Sequence, residues 1–338
     1  MLLHRLRYPE ALASFDAAIA ERPDYPEAHH NRGTALYELR RYDEALVSLT
    51  SALELRPGYA ATYGNRGNVY RHLRRFGLAL AGFDRALALD PDNSVAYNNR
   101  GDVLRDLRRP DEALASLDRA IALKPDFAVA LNNRAAVLSD LQRYEEALAG
   151  FDRAIAVDPA YAEAHANRGL MLHDLRHFDA ALASFDRAIA LKPDDASGYW
   201  NMSLTLLRQG RYTEGWRLYE WRKALAAPIG NQFSQTPPWL GQAEIAGKTV
   251  LLHPEQGLGD SLQFCRYAPL VRARGPRVIL SVPGPLVRLL RSMDPAIAVV
   301  HAEPTLPGTQ GQRSAAAGWV SGSRSPAPNN FCRYVPAA

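Results

Sequence analysis

Apolar residues recur at helical spacing in paired blocks along the first two-thirds of the chain. Within Thr62–Leu89, for example, two such blocks are interrupted near Arg74–Gly77. Residues three and four positions apart share one face of an α-helix, so each block predicts a helix with one buried side. Two such helices joined by a short break predict a helical hairpin.

The paired blocks return every 34 residues, and several columns of residues keep that step. The asparagine column contains Asn31, Asn65, Asn99, Asn133, Asn167 and Asn201. The alanine column contains Ala45, Ala79, Ala113, Ala147 and Ala181. The large apolar column contains Leu49, Phe83, Leu117, Phe151, Phe185 and Tyr219, and the proline column contains Pro57, Pro91, Pro125, Pro159 and Pro193. A constant period indicates one structural unit that is stacked repeatedly.

The columns suggest how the hairpins pack. A further column has small residues at Gly33, Gly67, Gly101, Ala135 and Gly169. Together with the alanines, these residues remove side-chain bulk where two helices must touch. The large apolar residues fill the space between repeats, and each proline ends a helix because it has no amide donor. The sequence therefore predicts a mainly α fold, an α-solenoid of helical hairpins.

The period and the columns together resemble the tetratricopeptide repeat (TPR) family over roughly residues 1–228. Five well-formed repeats run from about Pro26 to Asp195, and a divergent sixth, Ala196–Ile229, carries Gly215 in the alanine column. Residues 8–23 match the second helix of a repeat, which makes a half repeat. A solenoid end needs a polar cap, so we expect the true start to lie upstream, with a frayed or partner-covered end as the alternative.

The asparagine column would form a ladder, because the first helices of stacked hairpins line the concave side of a solenoid. An Asn amide has donors and an acceptor and can bind a peptide backbone without reading its side chains. The ladder resembles the one in the TPR arm of protein O-GlcNAc transferases. The alternative is structural: each Asn bonds a neighbouring helix or turn. No lysine precedes the ladder positions, which favours an extended segment over a clamped terminal carboxylate.

Two charged columns accompany the ladder. Seven residues after each asparagine stand Glu38, His72, Asp106, Asp140 and Asp174, which would give the groove an acidic wall. Directly after each asparagine stand Arg32, Arg66, Arg100, Arg134 and Arg168. We expect these arginines to pair with the carboxylates of the acidic wall, and contact with an acidic ligand is the alternative.

The composition changes after the repeats. Residues 229–247 are polar and contain Pro237 next to Pro238, which predicts a linker. In residues 248–303, strands alternate with helices and predict a parallel sheet in a small, incomplete α/β segment of the Rossmann type. The predicted elements are strands at Lys248–His253, Arg277–Val282 and Ile297–Val300 and helices at Leu258–Arg274 and Pro285–Met293. Residues 304–338 are rich in Gly, Ser, Pro and Ala and predict an irregular, disordered tail.

A glycine-rich turn follows the first predicted strand. Gly257 and Gly259 allow a tight turn, and the helix start that includes Ser261 would offer free amides to a phosphate or an acceptor. As a nucleotide fingerprint the turn is incomplete, because Leu262 stands where GxGxxG requires its third glycine.

Three segments resemble bacterial TPR-containing glycosyltransferases with a GT-B catalytic region similar to heptosyltransferases. They are Glu214–Arg222 (EGWRLYEWR), Pro237–Gln242 (PPWLGQ) and Leu251–Gly275. The resemblance implies sugar transfer from a nucleotide donor and makes Asp260 the general base for the acceptor hydroxyl. The alternative is that Asp260 merely caps the helix. The second GT-B lobe, which carries most of the donor site, is expected to be missing from this sequence.

Composition narrows the possible partners, cofactors and location of the protein. Charged residues make up 22% of the chain and the net charge is +4, with arginines spread singly, so nucleic acid is not the expected partner. Cys265 and Cys332 form no CxxC pair and no His cluster has metal-ligand spacing, so no disulfide framework, metal or cofactor is expected. No signal peptide and no apolar run of about 20 residues is present, which favours a cytoplasmic protein without a membrane span.

Three functions remain open at this point. The first is a scaffold whose Asn-lined groove holds a polypeptide, attached to a truncated glycosyltransferase-like region. The second is a glycosyltransferase whose TPR arm selects a protein or glycan acceptor. The third is assembly through self-association of exposed solenoid ends.

Overall fold

The computed structural model describes residues 8–225, 244–253, 258–301 and 332–335. The chain divides into two compact units, an N-terminal unit that ends at Lys192 and a C-terminal unit that begins at Pro193. We predicted a solenoid over residues 1–228, whereas this division assigns the sixth repeat to the C-terminal unit.

The N-terminal unit begins with α1 (Tyr8–Glu21), the predicted half repeat, and continues as five hairpins. We number the hairpins 1 to 5 in chain order. Their first helices are α2 (Pro26–Glu38), α4 (Ala60–His72), α6 (Ser94–Asp106), α8 (Ala128–Asp140) and α10 (Ala162–Asp174). Their second helices are α3 (Tyr42–Leu55), α5 (Phe76–Leu89), α7 (Pro110–Leu123), α9 (Tyr144–Val157) and α11 (Phe178–Leu191). Each second helix ends two residues before a proline of the predicted column, which confirms the role of that proline.

The turn inside every hairpin contains one residue in the left-handed region. These residues are Arg40 (φ 59°), Arg74 (φ 57°), Arg108 (φ 59°), Gln142 (φ 60°) and Arg176 (φ 63°). In hairpin 1 the Arg40 amide donates to the Tyr37 carbonyl (2.9 Å) and the Arg41 amide to the Leu36 carbonyl (2.9 Å). This pair of bonds is a Schellman motif, which satisfies the last carbonyls of the first helix.

Small residues bring the two helices of a hairpin together, as predicted. A Cβ added to Gly33 would lie 2.6 Å from the Leu49 Cγ, so the large apolar side chain packs directly on the glycine. In hairpin 4, Ala135 replaces that glycine and Gly150 faces it, where an added Cβ would lie 2.8 Å from the Ala135 Cβ. The large apolar column therefore also fills the interior of its own hairpin.

The C-terminal unit begins with the sixth hairpin. It contains α12 (Ala196–Arg208), α13 (Tyr212–Tyr219) and the short α14 (Arg222–Leu225). The turn residue is Gly210 (φ 78°), the residue type that adopts this conformation without strain. A Cβ on Gly215 would lie 2.8 Å from the Leu207 Cγ, so the departure from alanine allows these two helices a closer approach.

The C-terminal unit also contains the predicted parallel sheet. Its elements are β1 (Thr249–Leu252), α15 (Leu258–Cys265), α16 (Ala268–Arg272), β2 (Arg277–Val282), α17 (Gly284–Leu290), β3 (Ala298–His301) and β4 (Cys332–Val335). The strand order is β3-β2-β1-β4, in which β1, β2 and β3 are parallel and β4 is antiparallel to β1. Strand β4 lies within residues 304–338, where we predicted only an irregular tail, and the rest of that tail lies outside the described residues.

Two further details differ from the predictions. The helix predicted over Leu258–Arg274 is two helices, because Pro269 lies in the first turn of α16 and has no amide to continue α15. Ile245 falls in the predicted linker but is buried in the sheet core with Val250 and Leu280. The α/β segment therefore begins a few residues earlier than predicted, and residues 229–243 of the linker lie outside the described part of the chain.

Candidate functional site

The asparagine column lies along the first helices. Successive first helices contact each other more extensively than successive second helices do, so the N-terminal unit curves with its first helices on the inner side. Asn31 is exposed, and Asn65, Asn99, Asn133 and Asn167 are half-buried. Asn201 is also half-buried but belongs to the C-terminal unit.

The asparagine amides link one hairpin to the next. The Asn167 Nδ2 donates to the Asn132 Oδ1 (3.0 Å), and the Asn132 Nδ2 donates to the Asn133 Oδ1 (3.4 Å). The Asn133 Nδ2 donates to the Asn98 Oδ1 (3.0 Å), and the Asn98 Nδ2 donates to the Asn99 Oδ1 (3.1 Å). A continuous chain of amides therefore runs through hairpins 5, 4 and 3.

The amide chain ends in hairpin 2. There the Asn99 Nδ2 donates to the Asn68 Oδ1 (3.1 Å), and one hairpin earlier the Asn65 Nδ2 donates to the Thr34 Oγ1 (2.9 Å). The structural alternative for the column thus has direct geometric support. The sequence reasoning missed the participation of Asn98 and Asn132, although the paired asparagines in NNR were visible in the sequence.

The predicted acidic wall is present but partly neutralised. Glu38, Asp106, Asp140 and Asp174 are exposed. Arg105 donates to both Asp140 oxygens (2.5 and 3.2 Å), whereas Asp106 and Asp174 form no ion pair among the described residues. Hairpins 3 and 5 therefore each present a free carboxylate.

A second ion pair lies beside the acidic wall. Arg71 donates to the Asp102 Oδ2 at 2.5 Å. Desolvation raises the pKa of the Asp102 carboxyl, and Arg71 opposes that shift without reversing it. The inner side therefore carries arginines as well as carboxylates.

An aromatic cluster lies where hairpins 1 and 2 meet. His72, which stands in the acidic column, stacks on Tyr42 with ring centres 5.3 Å apart and meets Tyr37 edge-on at 5.2 Å. Desolvation lowers the pKa of His72, and nearby Arg71 lowers it further. Hairpin 2 therefore presents a histidine among aromatic rings at the position where hairpins 1, 3, 4 and 5 carry a carboxylate.

The arginine column faces away from the acidic wall. Because each arginine is one residue after the ladder position, it points about 100° around the helix, into the groove between successive second helices. There Arg32 donates to Asp16, Arg100 to Asp84, Arg134 to Asp118 and Arg168 to Asp152, each at 2.6 Å. Serines on the following second helix accept further bonds in three grooves: Ser48, Ser116 and Ser184. The predicted pairing with the acidic wall is therefore wrong for these four arginines.

The groove between α9 and α11 contains this arrangement of arginine, aspartate and serine. It has a volume of about 280 Å³ and is lined by Asp152, Ile155, His165, Arg168, Ser184 and Arg187. Its arginine and aspartate neutralise each other, so this groove offers no unpaired charge at Arg168.

The structure leaves the predicted catalytic residues largely untested. Asp260 and Gly259 lie in the first turn of α15, and Gly257 lies outside the described residues. Ser261 is fully buried, so its hydroxyl is not at the surface. The role of Asp260 remains a prediction.

No group of three or more His, Cys, Asp or Glu side chains that could hold a metal ion occurs among the described residues. Within the same residues, the helices all fall short of the length and apolarity needed to cross a membrane.

Comparisons with known proteins agree with this architecture. Family models described as tetratricopeptide repeat match residues 2–60, 58–126 and 162–195, and one described as TPR repeat matches residues 138–176. Protein FlbA of Caulobacter vibrioides (strain ATCC 19089 / CIP 103742 / CB 15) is 41% identical over 80 residues, which are 23% of this chain and 13% of FlbA. The chain thus aligns with a small part of that relative.

Two solved structures are similar in fold. The APC/C hetero-tetramer Cut9–Hcn1 has a TM-score of 0.60 at 15% identity, covering 65% of this chain and 44% of the matched chain. A tetratricopeptide repeat protein from Parabacteroides merdae ATCC 43184 has a TM-score of 0.57 at 19% identity, covering 67% of this chain and 90% of that chain. At these identities the likeness concerns the fold.

Proposed function

The chain carries tetratricopeptide repeats, and we propose that the inner side of hairpins 1 to 5 binds an extended polypeptide segment. Repeats of this type serve as protein-binding scaffolds, and their curved stacks provide long binding surfaces. A second polypeptide is accordingly the partner that this fold favours.

The observation that carries the proposal is the hydrogen-bond capacity of the amide chain. Asn98, Asn99 and Asn133 each donate one hydrogen of the side-chain amino group and accept one hydrogen bond at the side-chain carbonyl. An amide has two such hydrogens and two lone pairs, so one of each stays available. Asn99, Asn133 and Asn167 are only half-buried, so the remaining donor and acceptor can contact a peptide backbone.

The charges suggest which peptides suit this surface. Asp106 and Asp174 are exposed and unpaired among the described residues, so a bound segment with Lys or Arg near hairpins 3 to 5 gains ion pairs. Near hairpins 1 and 2, the stacked rings of Tyr42 and His72 favour apolar or aromatic side chains. The proposed ligand is therefore an extended segment, basic at one end and apolar at the other.

The test is selection of random 12-residue peptides on the intact chain, followed by calorimetry with the selected sequences. Replacing Asn99, Asn133 and Asn167 together by Ala should weaken binding at least tenfold while far-UV circular dichroism shows unchanged helical content. A matched control replaces Glu145 by Ala, because Glu145 lies exposed on the second helix α9 and forms no ion pair among the described residues, and this variant should bind normally. Unchanged affinity in the triple variant would contradict the proposal, and loss of helical content would show that the column is purely structural.

A second candidate function is sugar transfer, in which the repeats hold the acceptor. It is favoured by the three parallel strands β1, β2 and β3 with helices between them, since such sheets bind ligands at the carboxyl ends of their strands. In this proposal Asp260, which follows β1 and lies in the first turn of α15, takes the proton from the acceptor hydroxyl. Calorimetry with UDP, GDP, ADP and CMP sugars tests it on this chain and on one extended downstream. If neither protein binds any of these nucleotide sugars, sugar transfer is ruled out as a function.

A further inference from the structure

One member of the arginine column departs from the pairing found in the other grooves. Arg66 on α4 forms no ion pair or hydrogen bond in the described ranges, and its Nε is buried without a partner. Thr50 stands where the other four grooves carry aspartate, and Gly82 stands where three of them carry serine. A buried donor that lacks an acceptor is unfavourable and requires an explanation, of which a bound ion is one.

A second arginine without an ion pair in the described ranges, Arg85, contacts the same tyrosine ring as Arg66. The Arg66 guanidinium is 5.4 Å and the Arg85 guanidinium 5.9 Å from the centre of the Tyr63 ring. One repeat later, the residue equivalent to Arg85 pairs with Asp92 at 3.5 Å, and the residue equivalent to Asp92 is Gly58 here. Arg66 thus lacks the carboxylate that its four equivalents bind, and Arg85 lacks the carboxylate that Arg119 binds.

No other carboxylate of the groove takes over this role. Glu54, the next acidic residue along α3 after Thr50, is exposed and forms no ion pair in the part of the chain that the structure describes. Two guanidinium groups without an ion partner in the described ranges therefore contact the same tyrosine ring. Five equivalent grooves share the same backbone framework, so the difference arises from side chains and not from the fold.

We propose that Arg66, Arg85 and Tyr63, between α3 and α5, form a binding site for a phosphate group. A guanidinium presents parallel N–H donors that match two oxygens of a phosphate, and its charge is weakly hydrated. A phosphate group carries a charge of about −1.5 to −2 at neutral pH, so it neutralises two arginines, whereas a single carboxylate neutralises only one. The phosphate is either free in solution or part of a phosphorylated side chain of a partner.

The decisive variant restores the partner that the other grooves have. Thr50→Asp places a carboxylate at the position from which aspartates bind Arg32, Arg100, Arg134 and Arg168. It should fold, because aspartate occupies this helical position elsewhere in the chain. Thr50→Asn is the matched control, because it has nearly the same shape without the negative charge. Arg66→Gln removes the cation itself.

The measurement is calorimetric titration of the full chain at constant ionic strength with inorganic phosphate, and with a short peptide carrying phosphoserine. We expect phosphate to bind the wild type and Thr50→Asn with similar affinity, and both Thr50→Asp and Arg66→Gln at least tenfold more weakly. Tighter binding of the phosphopeptide identifies a partner's side chain as the source, and equal binding identifies free phosphate; both results support the site. Equal affinity in wild type and Thr50→Asp, or no binding of either probe up to about 10 mM, overturns the proposal.

Discussion

The amide chain predicts a graded loss of stability at three asparagines of the first helices. Asn98 is 4% exposed, donates one hydrogen bond to Asn99 and accepts one from Asn133. Asn68 lies at the end of the chain and accepts one bond, from Asn99. Asn31 is exposed and forms none among the described residues. Single replacements by Ala therefore remove no hydrogen bond at Asn31, one at Asn68 and two at Asn98.

The expected magnitudes follow from these counts. A hydrogen bond within a protein contributes about 1 kcal/mol net, and a buried group left without its partner costs about 1–3 kcal/mol. Alanine also has a higher helix propensity than asparagine, by roughly 0.5 kcal/mol, and this gain is shared by all three variants. Relative to Asn31→Ala, we expect a loss of about 1 kcal/mol for Asn68→Ala and about 2–3 kcal/mol for Asn98→Ala.

The assay is urea unfolding of the full chain, followed by far-UV circular dichroism. Equal dependence of the unfolding free energy on urea in all variants would show that the comparison concerns the same transition. A double-mutant cycle between Asn98 and Asn133 then isolates their shared bond. If Asn98→Ala is as stable as Asn31→Ala, water satisfies these amides equally well and the chain has no structural role.

Three other predictions test the packing and the charges. Arg108→Gly should stabilise the chain by about 0.5–1 kcal/mol in thermal unfolding, because Arg108 has φ 59° and makes no described contact that glycine would lose. Gly33→Ala should destabilise it by about 1–3 kcal/mol, since the new Cβ would overlap Leu49, whereas Gly77→Ala, with nothing within 4 Å, should not. The pKa of Asp102 is raised by burial, so its contribution to stability falls as pH rises through that pKa. Urea unfolding from about pH 3 to about pH 6 should therefore show the wild type losing stability relative to Asp102→Asn.

The helical hairpins and their main packing contacts were predictable because they depend on short-range patterns. Helical spacing gave the helices, the 34-residue step gave the hairpins, and Gly33 opposite Leu49 gave the contact between the two helices. The left-handed turn was not predictable in the same way. Glycine usually marks that position, and hairpin 3 has Arg108 there instead.

Long-range side-chain pairing was predicted less well. The spacing rules for one helix led us to pair the arginine column with carboxylates on the same helix, whereas Arg100 binds Asp84 on the preceding second helix. A separation of 16 residues is too long for the spacing rules of a single helix. The separation is nevertheless the same for every such aspartate and arginine pair in the sequence. Strand β4 was missed because four residues in a Gly-, Ser- and Pro-rich region carry too little pattern.

A repeat protein allows structural and functional positions to be separated within one chain. A residue that stacking requires must recur at every step, as the small column does, with Gly150 compensating where Ala135 interrupts it. Stacking does not explain a change that leaves the hairpin intact but removes a charge partner. Thr50 and His72 are changes of this kind: one leaves Arg66 unpaired, and the other replaces a carboxylate of the inner side by a stacked ring. Both fall in or beside hairpin 2, so that hairpin is where the chain departs most from a uniform scaffold.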